Sequence, residues 1–344
     1  MTNLILGIDV SQQTVDVAYL SVCTQKVEYL GKFGNDTQSF KKLGKAVAKL
    51  CKAIKPSETK VILEPTGGYE LALACFAVEQ GWQVYMPNPK NVRQWIRSIG
   101  TRGKTDKIDA RCLAQYGASV PLPAWKPMPE HITLLTELLK RKDELSQTIA
   151  QENNRLHALE SKPFENRKVK DSLRRTIACL QAELAKLNDD IDQLFKDHPD
   201  MQQKLDTIKD VPGIGDTNAV FFLVLCYRWT EMTDGQGSAK ALTAYLGLDP
   251  QHHQSGSSVH RQSYISRQGD RSLRSRLYMS ALGGIRRKYG QDQQNPLKFF
   301  YDRLVSQGKA KKLALVACAR KIAVWLWEAF TSEDGFNLDL ASQH

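Results

Sequence analysis

The sequence predicts an α/β domain over residues 1–125, a helical coiled-coil middle over 126–200 and a mainly α region over 201–344. Three observations predict it. Short apolar runs rich in β-branched residues alternate with helical stretches up to about residue 120. The Pro-rich stretch VPLPAWKPMPE then interrupts the pattern, and long amphipathic helices follow it. A chain of 344 residues also exceeds one ordinary domain.

In the first part LILGIDV, TVDVAYL and KVEYLGKF read as three strands of an antiparallel meander. KVILEP and WQVYMP are two further strands, separated by the helical stretch GGYELALACFAVEQG. The order βββαβαβα, with Gly and Pro at its joints, predicts a mixed sheet covered by helices. In the middle, Leu173, Ile177, Leu180, Leu184, Leu187, Ile191 and Leu194 are spaced alternately four and three residues apart, a heptad seam that needs a partner helix. The preceding helix offers Ile132, Leu135, Leu139, Ile149 and Leu156 in an interrupted register. A hairpin within one chain and pairing between two chains both satisfy the seam. The last part opens with IKDVPGIGDTNAVFF, which resembles a helix-hairpin-helix whose Gly-rich turn lets backbone N–H groups approach a phosphate. It ends in KAKKLALVACARKIAVWLWEAF, an amphipathic helix suited to core packing.

Hydrophobic content of 42% and charged content of 25% fit a folded globular protein rather than a disordered one. Seven scattered cysteines without a CxxC pair support neither a disulfide framework nor a zinc site. The N-terminus lacks a basic region followed by a long apolar core, no apolar run approaches the length of a membrane span, and a cytoplasmic location is expected. The formal charge is +11, which a polyanion would complement. Clustering strengthens the point: Ser255 to Lys288 carries Arg261, Arg267, Arg271, Arg274, Arg276, Arg286, Arg287 and Lys288 against the single acid Asp270. Together with Lys104, the residues Arg261, Arg267, Arg271, Arg274 and Arg276 are the candidate nucleic-acid contacts.

Asp9 ends the first apolar strand in GIDVS, and Glu64 ends another in ILEPTGG. Asp106 and Asp109 stand three apart on a helix in KTDKIDARCLAQYG, so both project from one face. Four converging carboxylates repel each other unless cations lie between them. A pair of Mg²⁺ ions answers that problem, because hard oxygen ligands suit Mg²⁺ and two ions can stabilise the oxygens of a phosphoryl transfer.

GIDVS, LEPTGGYE and KTDKIDARCLAQY resemble the RNase-H/RuvC-like DEDD domain of bacterial insertion-sequence transposases of the one-hundred-and-ten family. GLDP, SGSS, YISRQGD and SLRSRLYM resemble that family's C-terminal transposase domain, so the resemblance covers essentially the whole chain. It implies that Asp9, Glu64, Asp106 and Asp109 bind Mg²⁺ and that Ser255 attacks DNA to form a phosphoserine link. It further implies donor and target DNA as substrates, a structured noncoding bridge RNA as guide, and homodimers paired through the coiled coil that assemble into a tetramer. A nucleoid-associated protein when active is the corresponding location. A serine hydroxyl needs activation by a base, a metal or a positive field, and the metal site and the arginines would supply it. Asp109 and Ser255 fall in different domains, so a joint site needs domain closure or two protomers. Two rival readings remain at this level: a junction nuclease that uses water as nucleophile, and an architectural nucleic-acid binder whose acids are structural.

Overall fold

The computed structural model describes residues 4–21, 26–50, 54–100, 103, 105–163, 166–251, 254–255, 259–260, 264–286, 295–333 and 335–336. Two compact units are formed, one of Met1–Pro127 with Glu231–Thr233, the other of Met128–Thr230 with Asp234–His344.

The first unit is a five-stranded mixed sheet with helices on both faces. Its strands are β1 (Leu4–Val10), β2 (Thr14–Ser21), β3 (Lys26–Gly34), β4 (Thr59–Leu63) and β5 (Gln83–Tyr85), in the order β3-β2-β1-β4-β5. The first three form the expected meander, and β4 and β5 add on in parallel. Between and after them run α1 (Thr37–Leu50), α2 (Leu71–Glu79), α3 (Pro89–Ser98) and α4 (Asp106–Ser119). Side chains alternate across a strand, so β1 serves two cores at once. Leu4, Leu6, Ile8 and Val10 pack with Phe40, Leu43 and Val47 of α1 and Leu73, Ala74 and Ala77 of α2. Ile5 turns to the other face, where it meets Ile62 of β4, Val92 of α3, and Leu113 and Tyr116 of α4. Burial on both faces explains why LILGIDV is nearly continuously apolar.

Helices dominate the second unit: α5 (Glu130–Glu160), α6 (Arg167–Asp197), α7 (Pro199–Lys209), α8 (Asp216–Thr233), α9 (Ala239–Tyr245), α10 (Arg271–Gly284), α11 (Pro296–Ser306) and α12 (Lys311–Thr331). Four two-residue strands lie between α9 and α10: β6 (Pro250–Gln251), β7 (Gln254–Ser255), β8 (Val259–His260) and β9 (Tyr264–Ile265). The 31-residue helices α5 and α6 pack on each other. Ile132, Leu135 and Leu139 of α5 and Ile191, Leu194 and Phe195 of α6 join one core with α7 to α12, so the ends of the long helices are continuous with the C-terminal helices. Further along the seam Ile177 is buried, whereas Leu173, Leu180, Leu184 and Leu187 keep part of their surface exposed. Helix α12 buries Leu315, Cys318, Ile322, Trp325 and Leu326, which makes it the core helix its amphipathic pattern predicts. Among the described residues no helix is long and apolar enough to cross a membrane.

The VPGIG turn joins α7 to α8. Gly213 has φ +89°, and a Cβ there would stand 2.3 Å from the Ser280 carbonyl oxygen of α10. Close packing inside the unit therefore accounts for this glycine, whereas a Cβ at Gly215 would meet nothing within 4 Å.

Candidate active site

The four sequence-predicted acids of the first unit all belong to one sheet face and one end of it. Asp9 shares the face of Ile5 and Gly7, and Glu64 follows β4 on the face of Ile62. Ile8 pairs with Leu63 in the parallel register, so the next residues along the two strands, Asp9 and Glu64, come off the sheet side by side. Asp106 and Asp109 fill the first turn of α4, whose N-cap Thr105 accepts a hydrogen bond from the Ile108 N–H at 3.3 Å. Negative charge in a first turn is favoured by the helix dipole, which helps hold these two acids there. The approach of α4 depends on Gly7, because a Cβ at that position would stand 2.2 Å from both the Ala110 carbonyl oxygen and the Ala114 nitrogen. Gly7 thus sets the helix carrying Asp109 directly against the strand carrying Asp9.

Electrostatics records the consequence. Burial, and after it the carboxylates of Asp109, Asp106, Glu64 and Asp16, push the Asp9 pKa up from its ordinary value to about 7. Partial compensation comes from cations: Arg93 Nη2 lies 3.7 Å from Glu64 Oε1, and Lys32 Nζ lies 3.8 Å from Asp106 Oδ2. Among the described residues no three His, Cys, Asp or Glu side chains stand together as a ready-made metal cage.

Asp16, Tyr29 and Lys32 are polar members of this region that the sequence reading does not single out. Asp9 faces Asp16 across the β1–β2 ladder, and Asp16 faces Lys32 across β2–β3, so the three form one row. The Asp16 side chain is 5% exposed and accepts a hydrogen bond from the Tyr29 hydroxyl at 2.6 Å, while Lys32 Nζ sits 3.3 Å away. Residues 29 and 32 would occupy opposite faces of a regular strand. A bulge reverses this: Val17 pairs with Gly31 and Ala18 with Tyr29, which leaves Leu30 as the extra residue. Gly31 takes φ +146° at the bulge. Burial first, then the hydrogen bond and charge of Asp16, raise the Tyr29 pKa to about 12, which keeps the phenol protonated as a donor.

Glu70, also missed, shapes the loop after Glu64. Its buried carboxylate accepts from the Thr66 N–H at 3.0 Å and the Gly68 N–H at 2.9 Å. Asn35 Nδ2 donates to the Tyr69 and Ser11 carbonyls at 3.0 Å each, which ties this loop to the β1–β2 turn.

Ser255 belongs to the second unit. Its backbone pairs with Val259 at the end of a short two-stranded arm, β7 with β8, and residues 256–258 lie outside the described residues. Lys104 and Arg261 also lie outside them. Arg267 and Arg271 are exposed and, with the half-buried Arg274, line an open cavity of about 510 Å³ beside Tyr278, Leu248 and Val316. Arg276 turns inward. Arg276 is held by Asp143 of α5 and Asn218 of α8, and its guanidinium carbon lies 3.4 Å from the Phe221 ring centroid. Asn218 in turn donates to the buried Ser280 hydroxyl at 3.2 Å.

Comparison with known proteins agrees with the motifs. Residues 6–161 match the model of a transposase family, the DEDD transposase domain of IS110 type. Residues 205–295 match the model described as "Transposase IS116/IS110/IS902 family". Over 324 residues, 94% of each chain, the sequence is 32% identical to the pilin gene-inverting proteins of Moraxella lacunata and Moraxella bovis. A solved RuvC of T. thermophilus in complex with a Holliday junction substrate is similar at 16% identity and a TM-score of 0.26, over 36% of this chain and 99% of that one. The chain is a DNA transposase or recombinase. It belongs to the IS116/IS110/IS902 family.

Proposed function

We propose that the protein cuts and exchanges donor and target DNA strands with a Mg²⁺-dependent RNase-H/RuvC-like DEDD site, Asp9, Glu64, Asp106 and Asp109, and with Ser255 as nucleophile. The observation that carries this reading is the concentration of acids at one end of one sheet face, where burial first and then the neighbouring carboxylates lift Asp9 to about 7. Carboxylates set against each other in this way invite a divalent cation, and the donors are the hard oxygens that Mg²⁺ prefers. Bound there, Mg²⁺ would supply Lewis-acid stabilisation of the oxygens at the scissile phosphate. The chain's own part is to hold those oxygen donors through the β1–β4 register and the Gly7 contact, with Lys32 and Arg93 offsetting charge at the rim.

Family membership supports Ser255, which stands in the SGSS motif, as the group that forms the phosphoserine link. The net charge of +11 supports nucleic acid as partner, both the DNA substrates and a guiding bridge RNA. The partly exposed Leu173, Leu180, Leu184 and Leu187 support pairing of coiled coils between two chains, and two such dimers would give the tetramer.

The test is a denaturing gel of the Mg²⁺-treated protein with labelled donor and target DNA and the element's flanking RNA, comparing wild type with Ser255→Ala and Asp106→Asn. We expect a protein–DNA adduct that both substitutions remove. Cleavage without an adduct, unchanged by Ser255→Ala, would replace this reading with a nuclease that uses water.

A further inference from the structure

Asp249 and Ser266 bracket the segment that carries Ser255. These two ends are tied together closely. The Ser266 hydroxyl donates to the Asp249 carboxylate, and the Ser266 N–H donates to the Asp249 carbonyl at 2.9 Å. One residue further on each side, Pro250 pairs with Ile265 and Gln251 with Tyr264. Below, the Arg267 N–H donates to the Gly247 carbonyl at 3.1 Å.

Two glycines permit this approach. Gly247 has φ +67°, and a Cβ on it would stand 2.6 Å from the Gln268 nitrogen; a Cβ on Gly269 would stand 2.2 Å from the Tyr245 carbonyl oxygen. Arg267 itself takes φ +56°, a left-handed conformation that is costly for a residue with a Cβ and needs surrounding contacts to hold it. Crowding of backbones also brings two carbonyls together, those of Leu246 and Gly269. Arg274 Nη1, from the first turn of α10, donates to both, at 3.1 and 2.6 Å. Both bonds come from the one nitrogen Nη1, so a single terminal group of Arg274 spans the two backbone strands. Arg267 and Arg271 line the same cavity as Arg274 but are exposed where Arg274 is half-buried.

We infer that Arg274 is a positioning residue for the strand-transfer chemistry: its guanidinium clasps the Leu246 and Gly269 carbonyls and so fixes the footing from which the Ser255 arm projects. The inference rests on the reading of Ser255 as nucleophile. It removes Arg274 from the phosphate contacts and leaves that role to Arg267 and Arg271. A misplacement of about 1 Å at a reacting group costs on the order of a hundredfold in rate, so a loosened footing has a kinetic signature.

The experiment uses the full chain with its DNA and RNA and follows three readouts: adduct formation in single turnover, DNA affinity as a function of salt, and hydrogen exchange of the Ser266 and Arg267 amides. Arg274→Ala is expected to slow adduct formation by about tenfold to a hundredfold. DNA affinity and its salt slope stay within about twofold of wild type, whereas loss of a phosphate contact would lower the slope by about 1. Exchange at the two amides rises. Ethylguanidinium added to Arg274→Ala restores part of the rate, because it can bridge the same two carbonyls. Arg274→Lys keeps the charge on a shorter side chain whose ammonium stops short of the Nη1 position between the two carbonyls, and should be slowed at unchanged salt slope; should Arg274→Ala not fold, this variant decides alone. An unchanged adduct rate in either variant, or a reduced salt slope, overturns the inference. Failure of the serine reading shows separately, as wild type without an adduct or an adduct that survives Ser255→Ala, while amide exchange still reports on the clasp.

Discussion

At the end of the sheet in the first unit, acids stand where strand register and apolar packing put them; at the foot of the Ser255 arm, two-residue strands are drawn together by a guanidinium and a serine–aspartate hydrogen bond. In the sheet the apolar core bears the cost of crowding like charges, and the acids can be exchanged without altering where β1 runs. At the foot of the arm Leu246, Leu248 and Ile265 anchor the chain in the helical core, and polar contacts then tie one backbone to the other. A site fixed by register is therefore most sensitive to added volume, and a site fixed by hydrogen bonds is most sensitive to a lost donor.

The sharpest break of this contrast is Gly7→Ala. The new Cβ would stand 2.2 Å from backbone atoms of α4, which have no side-chain freedom with which to yield. We expect a loss of about 3 kcal/mol or more of stability in chemical denaturation, and loss of DNA cleavage in any protein that folds. Gly44→Ala in α1 is the matched control, since its Cβ would make an ordinary 3.5 Å contact with Phe76. That variant should gain about 0.5–1 kcal/mol through helix propensity and keep full activity. Equal behaviour of the two glycines would show that the β1–α4 approach does not position the acids.

Much of the first unit was legible beforehand for the same reason. Alternation and β-branched runs mark β1 to β5 and the meander of the first three, whereas the placing of β4 beside β1 is a tertiary pairing that local pattern does not carry. Asp9, Glu64, Asp106 and Asp109 were legible because an acid at the end of a buried strand or in a helix first turn stands out against its neighbours. Asp16 was hidden in TVDVAYL, where an alternating strand makes a polar residue look solvent-facing, yet α4 covers that face and Asp16 is buried. Tyr29 and Lys32 were hidden by the bulge, because period-two reasoning places them on opposite faces. For the arginines the charge density is legible but the direction is not: Arg271, Arg274 and Arg276 belong to one helical run, and only packing separates the exposed Arg271, the half-buried Arg274 at the cavity and Arg276, held by Asp143 and Asn218.

That separation can be tested by itself. Arg276→Ala strips Asp143 of its partner and leaves Asn218 and the Phe221 face uncovered, so a destabilisation of about 2 kcal/mol is expected, with the salt dependence of DNA binding unchanged. Arg271→Ala should do the reverse, with stability within about 0.5 kcal/mol of wild type and a salt slope reduced by about 1. Denaturant titration and DNA binding at several salt concentrations read both. A lowered slope in Arg276→Ala would return that residue to the nucleic-acid surface.

The smallest effect expected comes from protons at the acid end of the sheet. Asp9 titrates near 7 in the folded chain and near 3.8 when unperturbed. Between these values the native state holds a proton that the unfolded chain has lost. Its contribution to stability is therefore fully present at acid pH, declines as pH rises from about 4 to about 7, and is flat above that. Without divalent cations, and with solvent screening at this partly exposed end of the sheet reducing the effect to about 1 kcal/mol, the melting temperature of wild type relative to Asp9→Asn should fall by about 2 to 4 °C across this interval. Mg²⁺ competes with that proton for the same oxygens, so it should raise the melting temperature more at pH 8 than at pH 5, and by much less in Asp9→Asn. A difference between wild type and Asp9→Asn that does not change with pH would mean that the carboxylates around Asp9 do not act on one another in solution. Register alone would then have brought the strands together without concentrating their charge, and the case for a metal at this end of the sheet would lose its physical basis.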